Sequence, residues 1–448
     1  MARPEMMAIG DSVFNGVRSM TISPELAQWS VPAQVARALN VPFVIPDYPR
    51  HVILNVEDWL RQLPNVFGIA DDIERNILFW ESRPLSRLPQ FDNIAIASSS
   101  YRDLYARTWE TAQDEIDGLR GSLGADFSKV NHRLAELCMA FNTRFLLNPM
   151  GDMTAPALSP LEIVARRQPR RLLVNIGGNN GLWNMAFAAE ASNGAGGADG
   201  PFNASDLADL STLITGLKAL PASVEHIYLN ALPLPSGSAN MSPTPGFAGE
   251  SKPGSGRYYP LYENRFGFGY GTLTAEQMRV NDDTVHAVNE FAEREASSDP
   301  RIHIVRIDRA FGAYDFKASD EAQVVRTSDG RVLSNLMIQG PSLFDPRRWR
   351  GGLDSLDGMH PTLVGYAIMA QAILGAIRNH EGVVATTPPD LEVAYRADTL
   401  LQNLPSSWDL VLSISRDLRR AMAALAPPVS PEHAAVGRFL GAVQFKYD

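Results

Sequence analysis

The sequence predicts an α/β protein built on a parallel sheet. Short apolar, β-branched runs recur along the chain, and helical segments separate them. Two of the runs, ending at Gly10 and at Gly177, stop abruptly in glycine and polar residues, as strands do at the functional edge of an open sheet. The expected strands are Met6–Gly10, Pro42–Pro46, Asn93–Ala97, Arg171–Gly177, His226–Leu232 and Ile302–Asp308.

The first strand ends in Gly10-Asp11-Ser12, which puts a serine hydroxyl where such a sheet gathers its ligands. That hydroxyl is inert at neutral pH unless a neighbouring base takes its proton. A helix follows over Ser30–Leu39, with Ser30 as N-cap and Pro32 in its first turn. Roughly eighty residues separate Ser12 from Asn93, where one crossover needs about thirty. The excess marks a helix-rich insertion over about 47–90, and a second lies at about 102–168. They carry Trp59, Trp80 and Trp109, and serve either as walls over the site or as extra packing helices.

Farther along, Ser192–Pro201 and Ser236–Arg257 are Gly/Ser/Pro-rich loops. A long helix is expected from Thr274, its N-cap, to Glu295. The apolar run Thr362–Ile377 is broken by Gln371 and too short for a bilayer, so it reads as a buried helix. Gly382–Asp390 resembles a linker leading to helices over Trp408–Leu425 and Pro431–Val443. The expected division is a main unit over 1–380 and a linker with helical extension over 381–448, which either docks back or faces a partner.

Composition narrows the class. Across 448 residues, 45% hydrophobic and 20% charged content suit a globular protein with a large core. A net charge of −10 argues against nucleic acid or an anionic membrane as partner. The single cysteine, Cys138, excludes an intrachain disulfide and is expected as a buried, inert thiol. The first strand starts close to Met1, so the expectation is a cytoplasmic protein or an exported one that has lost its leader. Metal chemistry is disfavoured, since there is no His-x-x-x-His, cysteine pair or calcium-type loop. The first strand also lacks the Gly-x-Gly-x-x-Gly turn of dinucleotide sites.

Ser12 has candidate companions. Leu356-Asp357-Gly358-Met359-His360-Pro361-Thr362 places an aspartate three residues before a histidine, in a loop leading into a helix. An imidazole can accept the serine proton, and a carboxylate can fix its tautomer. The other seven histidines (His51, His132, His226, His286, His303, His380 and His433) have no comparable setting. Gly177-Gly178-Asn179-Asn180 offers an asparagine amide for an oxyanion, or simply a turn. Ala97-Ser98-Ser99-Ser100 offers backbone N–H groups, or an N-cap for the segment near Tyr101.

Together these motifs, in this order, resemble the GDSL (SGNH) hydrolases. The resemblance implies a flavodoxin-like three-layer α/β/α sandwich, here enlarged by the helical insertions and the C-terminal extension. It implies an esterase, lipase, thioesterase or carbohydrate-esterase activity without a cofactor, on a small-molecule or lipid ester. By motif, Ser12 matches the nucleophile, His360 the base and Asp357 its acidic partner. Asn179 and the Ser12 N–H match oxyanion donors, and Ser98 stands where the family has a third donor on glycine. A side chain there narrows the site or requires a strained backbone. Asn180 replaces a usual aspartate in a supporting role, and Asp11 reads as a brace for the turn. Two other readings share these residues: a non-catalytic binding protein on the same fold, and acyl transfer to another alcohol. Leu232–Pro235 and the insertion tryptophans suit an apolar acyl pocket or ordinary packing.

Overall fold

The computed structural model describes residues 3–62, 66–120, 127–243, 258–266, 271–319, 321–340 and 349–408. Its centre is a parallel sheet. In chain order the strands among the described residues are β1 (Met6–Gly10), β2 (Arg171–Asn175), β3 (His226–Asn230), β4 (Met241–Pro243), β5 (Leu261–Asn264), β6 (Thr272–Thr274), β7 (Ile302–Val305), β8 (Val325–Arg326) and β9 (Val332–Leu333). The sheet runs β1-β2-β3-β7, every pair parallel, with Gly10 beside Asn175 and Asn230 beside Val305. Strands buried on both faces need apolar side chains at nearly every position, which is why these runs were legible.

The expected strand Asn93–Ala97 lies outside β1 and is reduced to a single bridge, Ala8 with Asn93. The ladder there is nevertheless of parallel type: Ala8 N–H donates to Asp92 O (2.8 Å), Ile94 N–H to Ala8 O (2.9 Å) and Ile96 N–H to Gly10 O (2.9 Å). Taken with the four strands, the chain order across the sheet is 2-1-3-4-5.

The expected strand Pro42–Pro46 does not form. Pro42 and Pro46 lack donors, and the Val44 N–H is taken by the Asp92 carboxylate (2.6 Å), so too few ladder donors remain. The antiparallel ribbon β4-β5-β6 was not expected, because its strands are three or four residues long inside a Gly/Pro-rich segment. Residues 244–257 of the expected loop lie outside the described residues.

Strand alternation divides the interior. Met7, Ile9, Leu172, Val174, Ile227 and Leu229 face one core, with the insertion helices Trp109–Arg120 and Phe127–Leu147 and the helices Ala204–Lys218 and Ala275–Ala296. Met6, Ala8, Leu173 and Tyr228 face the other, with the helices Val31–Leu39 and Leu363–Glu381. Helices therefore cover both faces of one parallel sheet, an arrangement compatible with a three-layer sandwich. The helix from Ala275 starts at the expected cap, where Thr274 and Gln277 form a reciprocal capping box. Ser30 begins its helix without a side-chain cap, its Oγ instead accepting from Asn93 Nδ2 (3.4 Å).

Beyond the linker, the described part of the extension docks back. Helices Leu391–Ala397 and Thr399–Gln402 bury Ala394, Tyr395, Leu400 and Leu401 in the second core, and Trp408 joins them with its Nε1 donating to Ile338 O (3.0 Å). The expected helices Trp408–Leu425 and Pro431–Val443 lie outside the described residues from 409 onward. Among the described residues no helix is long and apolar enough to cross a membrane.

Candidate active site

Ser12 opens a four-residue helix, Ser12–Asn15, immediately after β1. The turn into it requires glycine at 10: φ is +149°, and a Cβ there would lie 2.1 Å from the Asn175 carbonyl. Asp11 caps the helix. Its Oδ1 accepts from Val13 N–H (3.1 Å) and from Asn175 Nδ2 (2.8 Å), while Asn230 Nδ2 donates to Asn175 Oδ1 (2.8 Å). A row of buried amides thus runs across the carboxyl ends of β3 and β2 to the turn that presents Ser12. Burial pushes the Asp11 carboxyl up to about 6, against the lowering effect of those hydrogen bonds and of His360. On the far side, Asn15 Nδ2 donates to Ala95 O (2.7 Å), tying the turn to the edge segment.

His360 and Asp357 meet Ser12 as the spacing suggested. Ser12 Oγ lies 2.9 Å from His360 Nε2, and His360 Nδ1 lies 2.7 Å from Asp357 Oδ2. The carboxylate is fully buried and accepts three backbone N–H groups: Oδ1 from His360 (2.8 Å) and Met359 (2.9 Å), Oδ2 from Met20 (3.0 Å). Burial alone would raise it, but the charge and hydrogen bond of His360 and the backbone donors outweigh that and hold it below the ordinary carboxylate range.

The Met20 donor was invisible in the sequence. Arg18 and Thr21 exchange backbone hydrogen bonds (3.1 and 2.9 Å), and between them Ser19 and Met20 sit at φ +49° and +57°. That φ pattern belongs to a type I′ turn, normally built from glycine or asparagine. The turn is held from outside. Arg18 pairs with both oxygens of Glu57 (2.8 Å each) and with Asp398 (3.0 Å), all three side chains being buried. The first insertion and the carboxyl-terminal helices thereby clamp a backbone donor onto the acid.

The other side of Ser12 is built from the edge segment and the β2 turn. Ser98 has φ +65°, so of the two consequences expected for a side chain at this position the strained backbone is present. Asn179 Nδ2 donates one hydrogen to Ser99 O (2.9 Å), and its amide carries a second. Asn180 acts as a support: its Oδ1 accepts from Tyr101 N–H (2.9 Å) and its Nδ2 donates to Asp206 (2.7 Å), pinning the 98–101 loop.

Two cavities meet at this point, and Ser12, Asn179, Trp183 and His360 line both. The larger, about 120 Å³, is walled mainly by apolar side chains including Leu182, Leu232, Leu234, Phe311 and Met359, with Asp308, Asp315 and Asp354 also on its lining. The smaller, about 30 Å³, is walled by Val17, Met20, Ile22, Leu54, Cys138 and Met139. Leu54 belongs to the first insertion and Cys138 and Met139 to the second, so the insertions do wall the site. Their tryptophans do not: Trp80 and Trp109 are buried in packing, and Trp183, which the sequence reading passed over, stands beside His360 at a ring distance of 5.7 Å. Cys138 is buried as expected, and burial pushes its thiol up to about 12.

Of the other histidines, His226, His303 and His380 stack together at the amino ends of the strands, opposite Ser12. His51 hydrogen-bonds Asn76. His433 lies outside the described residues. Among the described residues no group of three or more His, Cys, Asp or Glu is placed to hold a metal ion. Comparison of the chain with protein-family models, curated proteins and solved structures returns no match.

Proposed function

We propose that this chain is a serine hydrolase that cleaves a carboxylic ester through an acyl-enzyme on Ser12. The observation that carries the reading is the unbroken relay Asp357–His360–Ser12, at 2.7 and 2.9 Å, opening on two cavities. His360 Nε2 takes the Ser12 proton as Oγ bonds to the ester carbon. The carbonyl electron pair moves to oxygen, which the N–H groups of Ser12 and Ser98 and the Asn179 amide stabilise. Collapse breaks the ester C–O bond, and His360 passes the proton to the departing alcohol. Water repeats the sequence on the acyl-enzyme, releasing the acid and restoring Ser12. Asp357, held ionised at neutral pH, fixes the imidazole tautomer and stabilises the imidazolium.

The 2-1-3-4-5 order supports a flavodoxin-like sandwich, and the three ordered motifs support membership of the GDSL (SGNH) hydrolases. Ser12→Ala tests the function. Hydrolysis of p-nitrophenyl acetate by the full chain should fall by on the order of 10⁶-fold with an unchanged melting curve. Unchanged turnover in that variant overturns the assignment.

A further inference from the structure

We infer that Asp398, on the carboxyl-terminal extension, is a positioning residue for the Asp357–His360 pair, acting through Arg18 on one side and the Leu363 N–H on the other. The inference rests on the serine-hydrolase reading and adds to it a residue outside the three motifs.

Asp398 is fully buried and accepts at both oxygens. Oδ1 takes Arg18 Nη1 (3.0 Å) and the N–H groups of Leu400 and Leu401 (3.0 Å each). Oδ2 takes the Leu363 N–H (2.7 Å). The bonds to Leu400 and Leu401 cap its own helix, Thr399–Gln402, and occupy Oδ1 alone. The other two lead to the site. Leu363 opens the helix Leu363–Glu381, which follows His360 closely, and its N–H is one of the donors that a helix start leaves unpaired. Arg18 is the first residue of the turn whose Met20 N–H donates to Asp357 (3.0 Å).

That turn is stitched to the loop of the acid at two further points. Ser19 N–H donates to Ser355 Oγ (2.8 Å), and Leu356 N–H donates to Ser19 Oγ (3.3 Å). The position of the turn therefore sets the position of residues 355–357. Ser19 and Met20 do not favour its φ values, so it has to be held from outside. Glu57 holds Arg18 from the first insertion. Asp398 holds it from the extension, where Thr399 Oγ1 also accepts from Arg18 Nη2 (2.8 Å). One carboxylate thus fixes both the turn that donates to Asp357 and the start of the helix that follows His360, and the catalytic loop is anchored at both ends. An asparagine cannot do the same, because its amide nitrogen would meet an N–H donor at one oxygen position or the other.

The test takes full-length variants whose melting curves show them folded, and measures kcat and KM for p-nitrophenyl acetate beside the rate at which a fluorophosphonate labels Ser12. Asp398→Asn should lower kcat and the labelling rate together by about tenfold to a hundredfold, with KM within about twofold of native. Trp408→Phe loosens the same extension where it donates to Ile338 O, and should keep kcat within about twofold. Arg18→Lys keeps the charge but not the fork onto Glu57, and should retain about threefold or more of the kcat of Arg18→Gln. This pair carries the test where Asp398→Asn does not fold. Native kcat in Asp398→Asn, a loss carried by KM instead, an equal loss in Trp408→Phe, or equal kcat in the two Arg18 variants would overturn the inference and leave the serine-hydrolase reading standing. A native chain that neither hydrolyses an ester nor labels would overturn that reading, and the inference with it.

Discussion

At the carboxyl ends of the strands, Asn230, Asn175 and Asp11 form a buried polar row that ends at Ser12 and two cavities. At the amino ends, Arg171 grips Glu381 through bonds of 2.8, 2.9 and 2.6 Å, and Tyr228 OH donates to the same carboxylate (2.8 Å). His226, His303 and His380 stack beside them, and burial together with the neighbouring imidazoles pushes His303 down to about 4. The two ends differ in whether their polar groups are balanced. Below the sheet a buried cation meets a buried anion and His303 stays neutral. Above it, Asp11 is displaced upward by burial, and Ser19, Met20 and Ser98 are held at positive φ. Strain of this kind persists only where surrounding structure over-determines it, and at Met20 it accompanies a backbone N–H donated to Asp357.

Variants at the two ends should therefore separate activity from stability. The largest effect is expected at the site: Asp357→Asn should lower kcat by on the order of 10⁴-fold, because the wrong imidazole tautomer then faces Ser12. Steady-state kinetics on a short ester measures this, and a loss below tenfold would remove Asp357 from its role. Next comes the amino end. Arg171→Ala leaves the buried Glu381 carboxylate with the Tyr228 hydroxyl (2.8 Å) and the more distant Arg170 guanidinium (3.6 Å), and should cost about 3 kcal/mol by denaturant unfolding, with kcat within about twofold of native. A folded Arg171 variant without turnover would break the division between the ends.

The smallest effect concerns Asp11. Its folded-state value, about 6, lies above the ordinary 3.8, so between those pH values the folded protein keeps a proton that the unfolded chain has released. Stability is then fully present below that window and falls by roughly 3 kcal/mol as pH rises through it. Asp11→Asn should remove that decline while retaining an oxygen to cap Val13. Unfolding midpoints measured from acid to neutral pH check this, and an unchanged slope would place the burden elsewhere.

Much of this architecture can be read without coordinates, for identifiable reasons. The four parallel strands are mostly apolar between their ends, and Thr274 announces its helix by a local hydrogen-bond pattern. Ser12, Asp357, His360 and Asn179 stand at strand ends or within one loop, so short spacings bring them into view. What could not be read depends on long-range contact. Ser19 and Met20 carry no turn signature, because Arg18, Glu57 and Asp398, far apart in sequence, force the conformation. Asn175 looks like the polar end of an apolar run until Asn230 and Asp11 are seen on either side of it. The Pro42–Pro46 run failed for the opposite reason: its apolar character was visible, but its missing donors decided the outcome. The smaller cavity needs two insertions to close on one serine, and no local pattern records that.

The account stands on Ser12 being activated by His360. The most direct measurement treats the full chain and its His360→Ala variant with a fluorophosphonate and locates the adduct by peptide mass spectrometry. The account predicts stoichiometric modification of Ser12 in the native chain and at least about a hundredfold slower labelling in the variant. An unlabelled Ser12, or labelling at the same rate without His360, would contradict it.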